Sequence, residues 1–357
     1  MIRLDSVTVR GVPGLPDTTI MLQPVTALIG PQGAGKSRLL QALSWLLTGE
    51  PAVNGTTTEV RAQLVDTAGT RRIARGPDLL PTGPLPRVTW LPARDRVPAT
   101  GDAIAAEALL EEVARRRMSG AEDELLLIEE PELMLTPQQQ RHLYRLLRRY
   151  AERNQVIYST RAPALLDAVY YHEIVRLDRT TSGTRIRRAP PELLSDEQRV
   201  RLAAEFDHER TEMFFATAVV LVEGQTERQS FPLIFERLGH DIDALGISIV
   251  EVGGKGNIAL VTQILWELSI PHVLVFDSDR GRPAHLENNE LHRLARGAPV
   301  FELEPDFEGA AHIHGYEDKV FDAWRKFHDI DAKNVPAIFK RIVDTAVELA
   351  NGAEAPV

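Results

Sequence analysis

Three stretches of the chain carry residue types that do chemistry. Gly30-Pro31-Gln32-Gly33-Ala34-Gly35-Lys36-Ser37 is a complete G-x-x-x-x-G-K-S element. Its glycines let backbone N–H groups wrap phosphates, its lysine neutralises the β- and γ-phosphates, and its serine ligates Mg2+. Gly30, Gln32, Gly33, Gly35, Lys36 and Ser37 are therefore the expected nucleotide contacts, with ATP as cofactor. The second stretch is the apolar run 125–128 followed by Glu129-Glu130. One carboxylate at a strand end can hold Mg2+ through water and a second can orient the attacking water, so Glu129 takes the metal role and Glu130 the water role. Alone, two acids at a strand end mean little; beside a phosphate loop they gain a partner. The third set is dispersed: Glu223-Gly224 with Glu227 one helical turn on, and Asp277-Ser278-Asp279. Asp277 and Asp279 are two apart, so in extended backbone they point the same way.

Each acidic piece of the third set is weak by itself. Together they put four carboxylates at strand ends, a combination suited to hard cations such as Mg2+ or Mn2+. Two such ions roughly 4 Å apart can activate water and stabilise a leaving 3′ oxygen. An acidic edge without a cation is disfavoured by like-charge repulsion. Gly253-Gly254-Lys255-Gly256 offers a flexible backbone and a cation for a phosphate contact, against the bland reading of a simple loop. His312 and His314 have the spacing of a metal pair on a strand, but no third ligand is evident.

The elements that must position these residues follow from patterning. Residues 1–30 read as strands, 38–47 as a helix with leucines on one stripe, and 59–65 with 71–74 as a hairpin. Residues 88–91 read as a strand, 103–118 as a helix, 125–128 as a strand buried on both faces, 137–153 as a basic helix, 155–159 as a strand and 163–169 as a short helix. Pro190-Pro191 punctuates a stretch, 181–213, that reads as a linker with one helix. Beyond it come strand 219–222, helix 226–238, strand 248–252, helix 258–267 and strand 272–276. Alternating strands and helices imply a mostly parallel sheet, in which ligands sit at the carboxyl ends of the strands. The expected organisation is an α/β chain: residues 1–180, a linker 181–213, and residues 214–357 ending in a helix.

Composition narrows the classes. The chain has 357 residues and no cysteine, which excludes disulfides, thiolate zinc sites and cysteine nucleophiles. It has no apolar run long enough to span a bilayer and no signal-peptide pattern at Met1 to Arg10, so no membrane partner is expected and cytoplasmic residence is the default reading. The net charge is −10 and uneven: residues after 180 hold 19 Lys+Arg against 30 Asp+Glu. An acidic half suits metal binding better than phosphate neutralisation, so any DNA groove must be a local basic stripe. Arg115, Arg116, Arg117, Arg145, Arg148, Arg149, Arg185, Arg187 and Arg188 are the candidates, with a solvated helix or strand face as the alternative for each.

"ALIGPQGAGKS" followed by "LLLIEEPEL" resembles the ABC-type ATPases of recombination and chromosome maintenance, and "WLPARD" (90–95) with "YSTRAPALLD" (158–167) resembles the OLD-family nucleases more narrowly. "VEGQTE", "EVGGKGN" and "VFDSDRG" stand in the order of the Toprim fold of topoisomerases, primases and OLD nucleases. The resemblance covers nearly the whole chain. It implies an ABC-type P-loop ATPase domain followed by a Toprim domain, and a Mg2+- or Mn2+-dependent endonuclease or nickase. Glu223, Asp277 and Asp279 would be metal ligands, Glu223 also taking part in proton transfer, and Glu227 would serve the second metal. "FELEPDFEG" (301–309) resembles a late acidic segment of OLD nucleases, adding Glu308 first and Asp306 second as ligands, with Lys319 as a phosphate contact. Kinship also implies DNA as substrate, a homodimer, a helicase or other partner protein, and a role in defence against phage or plasmid DNA. The chain departs from the pattern at Arg161, where relatives carry the histidine that senses the γ-phosphate, and at Met134 and Thr136, where they often carry histidine. Ser119-Gly120 stands too close to Glu129 for the usual signature helix, so ATP binding is expected and hydrolysis left open. The contrasting reading is a sensor that binds nucleotide, and DNA or a partner, without cutting.

Overall fold

The computed structural model describes residues 2–50, 53, 58–93, 104–118, 120, 122–180, 183–206, 210–280, 286–313 and 318–352. Arg94, Asp95, Ser119 and His314, and the side chain of Arg117, lie outside that description. The chain divides into two compact units, Met1–Arg188 and Ala189–Val357.

The first unit holds strands β1 (Arg3–Arg10), β2 (Thr18–Met21) and β3 (Val25–Ile29), helix α1 (Lys36–Thr48), β4 (Glu59–Asp66), β5 (Gly69–Arg75), β6 (Arg87–Leu91), α2 (Ile104–Met118), β7 (Glu124–Glu129), α3 (Pro137–Tyr150), β8 (Gln155–Ser159), β9 (Ile174–Thr180) and β10 (Gly183–Arg188). They build two sheets, β2-β1-β4-β5 and β10-β9-β3-β8-β7-β6. The first is antiparallel; in the second β9, β3, β8, β7 and β6 run parallel and β10 turns back on β9. β3, β7 and β8 are buried along their whole length, as parallel strands covered on both faces must be. The leucine stripe of α1 (Leu39, Leu40, Leu43, Leu46) joins Leu4, Leu64, Leu125, Leu127 and Ile157 in one core cluster that ties both sheets to the helix. α3 starts on a capping box in which Thr136 and Gln139 satisfy each other's backbone N–H.

The second unit adds α4 (Asp196–Glu205), β11 (Ala218–Val222), α5 (Gln225–Arg237), α6 (Ile242–Leu245), β12 (Ile247–Glu251), α7 (Lys255–Glu267), β13 (His272–Asp277), α8 (Leu286–Leu294), β14 (Val300–Leu303), α9 (Phe307–Ala310), α10 (Lys319–Asp329) and α11 (Ala337–Ala350). Its sheet is parallel throughout, in the order β12-β11-β13-β14. Val220, Val222, Val273 and Val275 face a cluster with Phe231 of α5, Phe327 of α10 and Phe339 of α11. The four ring systems of Phe231, Phe307, Phe327 and Phe339 pack edge-on or tilted at centroid distances of 5.3–6.5 Å, geometries that aromatic quadrupoles favour.

Two sequence expectations need correction. Residues 183–188, read as the start of a linker, are β10, paired along its length with β9; its arginines alternate outward, which hides the strand in a polar stretch. Residues 163–169, read as one short helix, are a single turn, Pro163–Leu165, and the start of a second 3-10 segment, Ala168–Glu173, itself kinked at Tyr170, with extended Leu166 and Asp167 between them.

Candidate functional site

The phosphate loop runs from the end of β3 to the first residue of α1. Gly30, Gly33 and Gly35 have φ of 130°, 77° and 101°, a region only glycine enters without strain. Gly30 has a second reason: a Cβ there would stand 1.9 Å from the Leu177 carbonyl oxygen. Lys36 is buried, and its Nζ donates to the carbonyls of Gly30 at 2.5 Å and Pro31 at 2.9 Å. Burial, then the charge of Arg161, pull its pKa below the ordinary lysine value, while Glu130 and Glu132 pull it back up. An ammonium resting only on neutral loop carbonyls can exchange them for the oxygens of an anion.

Glu129 ends β7 and is buried, its Oε2 accepting from the Ala93 N–H at 3.0 Å. Glu130 follows with φ 42°. Its N–H donates to the Ser159 carbonyl at 2.9 Å, and its Oε1 accepts from Arg161 Nη2 at 2.8 Å. Glu132, given no role on sequence grounds, clamps the same turn: Oε1 accepts from the Arg161 N–H at 2.7 Å and Oε2 from the Thr160 hydroxyl at 3.0 Å.

In the second unit the parallel sheet delivers its acids to one edge. Glu223 follows β11, Asp277 ends β13, Lys255 opens α7 after β12, and Asp306 and Glu308 follow β14. The structure brings Glu223 and Asp277 together: Glu223 Oε1 accepts from the Asp277 N–H at 2.7 Å. Glu227 sits buried in the first turn of α5 and Glu308 buried in α9. Asp279 takes φ 47°, turning its carboxylate onto Lys255, whose Nζ lies 2.9 Å from Asp279 Oδ2 and 4.0 Å from Glu223 Oε1. Lys255 is buried and also meets Asn288 Oδ1 at 3.0 Å. Lys255, read from the sequence as a phosphate contact, thus faces Asp279, Glu223 and Asn288 here. Lys319, half exposed, lies 3.1 Å from Glu308. Asp306 caps α9 through the Gly309 N–H at 2.9 Å.

The electrostatics show acids crowded with little solvent. Burial, then Glu227, Glu223 and Asp306, push Asp277 up to about 8; burial pushes Glu223 up to about 7 against the pull of the Asp277 N–H and Lys255. Glu227 is raised by burial, with Glu308 adding to it. Asp277 Oδ1 is buried with no hydrogen-bond partner. Such an orphan acceptor amid raised acids suits a divalent cation, and Asp277, Glu223, Asp279 and Glu227 are oxygen donors of the hard kind such a cation takes. As the side chains stand, no group of three histidine or acidic residues among the described residues is set to hold an ion. The reason is local: Glu223 is turned onto the Asp277 backbone and Asp279 onto Lys255.

Sequence reasoning missed Glu132 and Asn288. Asn288 is buried and ties Lys255 to the Ser278 carbonyl and to Glu302, at 3.0 Å and 3.2 Å. One of two adjacent asparagines on a polar helix gives no sequence signal for this. Of the arginines proposed for a DNA stripe, Arg116 is engaged by Glu124 at 2.8 Å and Arg148 by Glu173 at 2.6 Å, whereas Arg145, Arg149, Arg185 and Arg187 are exposed.

The fold and these strand ends define an α/β P-loop ATPase unit followed by a Toprim unit, as expected. Residues 214–279 match the family model described as the Toprim domain of overcoming lysogenization defect protein-like proteins, and residues 108–167 match an AAA domain model described as putative AbiEii toxin, Type IV TA system. The chain is 31% identical over 265 residues to an OLD nuclease of Thermus scotoductus, covering 67% of this chain and 50% of that protein. It is 27% identical over 182 residues to the Old nuclease of Escherichia phage P2, covering 48% of this chain and 31% of that protein. The chain thus spans half or less of the length of these relatives. Among solved structures, the C-terminal region of the Xanthomonas campestris pv. campestris OLD protein aligns with a TM-score of 0.31 at 20% identity, over 39% of this chain and 96% of that one. These family and sequence matches bear out the resemblance to the OLD family. No helix among the described residues is long and apolar enough to cross a membrane.

Proposed function

We propose that the chain is a Mg2+- or Mn2+-dependent DNA endonuclease or nickase with a nucleotide-binding ATPase unit. The observation that carries this reading is Asp277. It ends a strand in a parallel sheet, its Oδ1 is buried without a partner, and Glu223 is hydrogen-bonded to its backbone. Divalent metal, when bound, supplies an activated water and charge stabilisation at the scissile phosphate. Around it Asp277, Asp279 and Glu223 would hold the ion, with Glu227 and Glu308 behind them. Glu223, with its raised pKa, is suited to proton transfer near neutral pH. Lys319, half exposed beside Glu308, would serve as a phosphate contact. Gly30, Gln32, Gly33, Gly35, Lys36 and Ser37 would bind ATP, Glu129 the accompanying Mg2+, and Glu130 the attacking water. The boundaries proposed from sequence, 1–180 and 214–357, place each of these sets within one domain. A homodimer, a helicase or other partner protein, cytoplasmic residence and a defence role are proposed from kinship with OLD nucleases.

The test is nicking of supercoiled plasmid in Mn2+, with and without ATP, beside an Asp277→Ala variant. Metal-dependent nicking that the variant lacks supports the reading; equal products from both reject it. A second reading, a nucleotide-binding regulator that does not cut, is favoured by Lys255 already compensating Asp279. It requires Mn2+ to leave the plasmid intact while nucleotide still binds.

A further inference from the structure

α10 sorts its residues onto two faces. Ala323 and Phe327 are buried, and Phe327 packs in the ring cluster with Phe307 and Phe339, which fixes how the helix is turned. At about 100° per residue the opposite face carries Phe321, Trp324, Arg325 and His328, all exposed. Phe321 is 54% and Trp324 40% exposed. One exposed ring is ordinary; two that neighbour each other at i and i+3 call for an explanation. Each ring also has a basic partner. The Arg325 guanidinium stands 5.7 Å from the Phe321 ring centroid, and the His328 ring stacks on Trp324 at 4.7 Å with the planes 22° apart. Arg325 meets Asp322 at 3.2 Å as well, an exposed pair of little strength. One end of the helix is tied to the acid edge, because Lys319, its first residue, lies 3.1 Å from Glu308. Phe321 and Trp324 follow within about 8 Å along the axis.

We propose that the outer face of α10 is a stacking platform for unpaired DNA bases, which holds a single-stranded or frayed segment beside the acid edge. The inference rests on the DNA-nuclease reading and narrows its substrate. Every base has a π face, so aromatic rings and guanidinium planes hold unpaired bases whatever their sequence. Bases stacked inside a duplex present no free face. Lys319, Arg325 and Lys326 give this one helix three cations for phosphates, in a half of the chain that is acidic as a whole. The size of the face also decides between partners. A helix of 11 residues is about 16 Å long, well short of the roughly 800 Å2 per partner of a stable protein interface. It is long enough for the two or three bases that an aromatic platform holds.

The experiment titrates the full chain by fluorescence anisotropy, with Ca2+ in place of Mn2+ to limit cutting. The probes are a labelled thymidine strand of about 12 nucleotides and a blunt hairpin duplex. Trp324→Ala is expected to weaken single-strand binding about tenfold, the effect of one lost base stack, and to leave duplex binding unmoved. Phe321→Ala should act in the same direction by a smaller factor, and Trp324→Phe, which keeps a ring, should retain most of the affinity. Duplex binding is the control for folding. Nicking of supercoiled plasmid in Mn2+ by the parent chain is followed alongside. If the parent nicks but Trp324→Ala weakens both DNAs equally, or neither, the platform alone is overturned. Conversion of a dimeric parent into a monomer by Trp324→Ala also overturns it, since the face then belongs to a second copy. A parent chain that neither nicks plasmid nor binds either DNA removes the nuclease reading and the platform with it.

Discussion

Lys36 and Lys255 occupy the same local device in two different units. Each is the first residue of a 13-residue helix, each follows a glycine with positive φ (101° at Gly35, 115° at Gly254), and each is buried. Their partners differ. Lys36 rests on two neutral carbonyls of its own loop; Lys255 rests on the Asp279 carboxylate, with Glu223 beyond it. A lysine on neutral acceptors keeps its charge for an incoming anion. A lysine on acids has spent its charge holding their repulsion down. A lysine opening a helix after a positive-φ glycine thus meets neutral carbonyls in one unit and carboxylates in the other, the two glycines differing in ψ, 4° against 163°.

The largest effects are expected where compensation is incomplete. Asp277→Asn removes an ionisable oxygen donor from the acid cluster with little change in its shape. Metal-dependent nicking should fall by about a hundredfold or more, as expected when a ligand to a catalytic metal is lost. Metal-free thermal stability near neutral pH should rise, since the fold no longer has to suppress the ionisation of a carboxyl that it raises to about 8 and that is ionised in the unfolded chain. Thermal melts with and without Mn2+ check this: Mn2+ should raise the midpoint of the parent chain more than that of the variant. A variant that nicks normally, or that melts lower without metal, would break the contrast between the two lysine settings.

Next comes Lys255→Met against Lys36→Met. Removing Lys255 strands Asp279 and the Asn288 oxygen in a buried site, a loss of about 3–5 kcal/mol by analogy with broken buried pairs. Removing Lys36 strands only loop carbonyls, at about 1–2 kcal/mol, while nucleotide binding should weaken sharply. Denaturant unfolding and nucleotide titration together separate the two; equal destabilisation would sink the distinction.

How far the sequence showed this contrast follows from distance along the chain. The phosphate loop, Glu129-Glu130, Glu223 with Glu227, and Asp277 with Asp279 are local patterns behind apolar runs such as 125–128 and 218–222, and runs of that kind announce buried strands whose ends carry ligands. The partners of Lys255 stand 24 and 33 residues away on a strand end and a polar helix. No periodicity links them, so the lysine read as a free cation. β10 was hidden for the opposite reason: its alternation of arginine with small or apolar residues is a sound strand pattern, but one exposed on both neighbours' terms and preceded by turn residues that read as a linker.

β13 carries the contrast along one strand. Asp277 at its carboxyl end is an acid short of positive charge, and His272 at its start is a base denied it. Burial lowers the His272 pKa to about 4, Nδ1 is matched to the Ile270 carbonyl at 2.8 Å, and Nε2 has no partner. In the unfolded chain the ring takes a proton near pH 6.5, in the fold only near pH 4. Between those values the unfolded state binds more protons, so the fold loses stability as pH falls, by about 3 kcal/mol across the window. Above pH 6.5 this contribution is fully present. Other groups titrate in the same range, so the measurement is the difference between the parent chain and His272→Leu; a difference that does not change between pH 7 and pH 4 would remove His272 from the account.

The smallest effect sharpens the comparison at the glycines that launch the two lysines. Both Gly35 and Gly254 sit at positive φ, but Gly35 (φ 101°, ψ 4°) is left-handed helical, where alanine incurs about 1–2 kcal/mol, whereas Gly254 (φ 115°, ψ 163°) is in the extended positive-φ region nearly reserved for glycine, at about 1–3 kcal/mol. They part in what a Cβ would meet. At Gly35 it would come within 2.5 Å of Leu15 Cδ2, whereas at Gly254 nothing stands within 4 Å. Gly35→Ala should therefore destabilise the first unit by more than the backbone penalty alone and disturb the loop that wraps phosphate. Gly254→Ala should incur the backbone penalty and little else, leaving the Lys255–Asp279 contact in place. Urea unfolding of the two variants measures the gap between them. Were Gly254→Ala the more damaging of the pair, backbone conformation rather than Cβ crowding would dominate at these two helix starts.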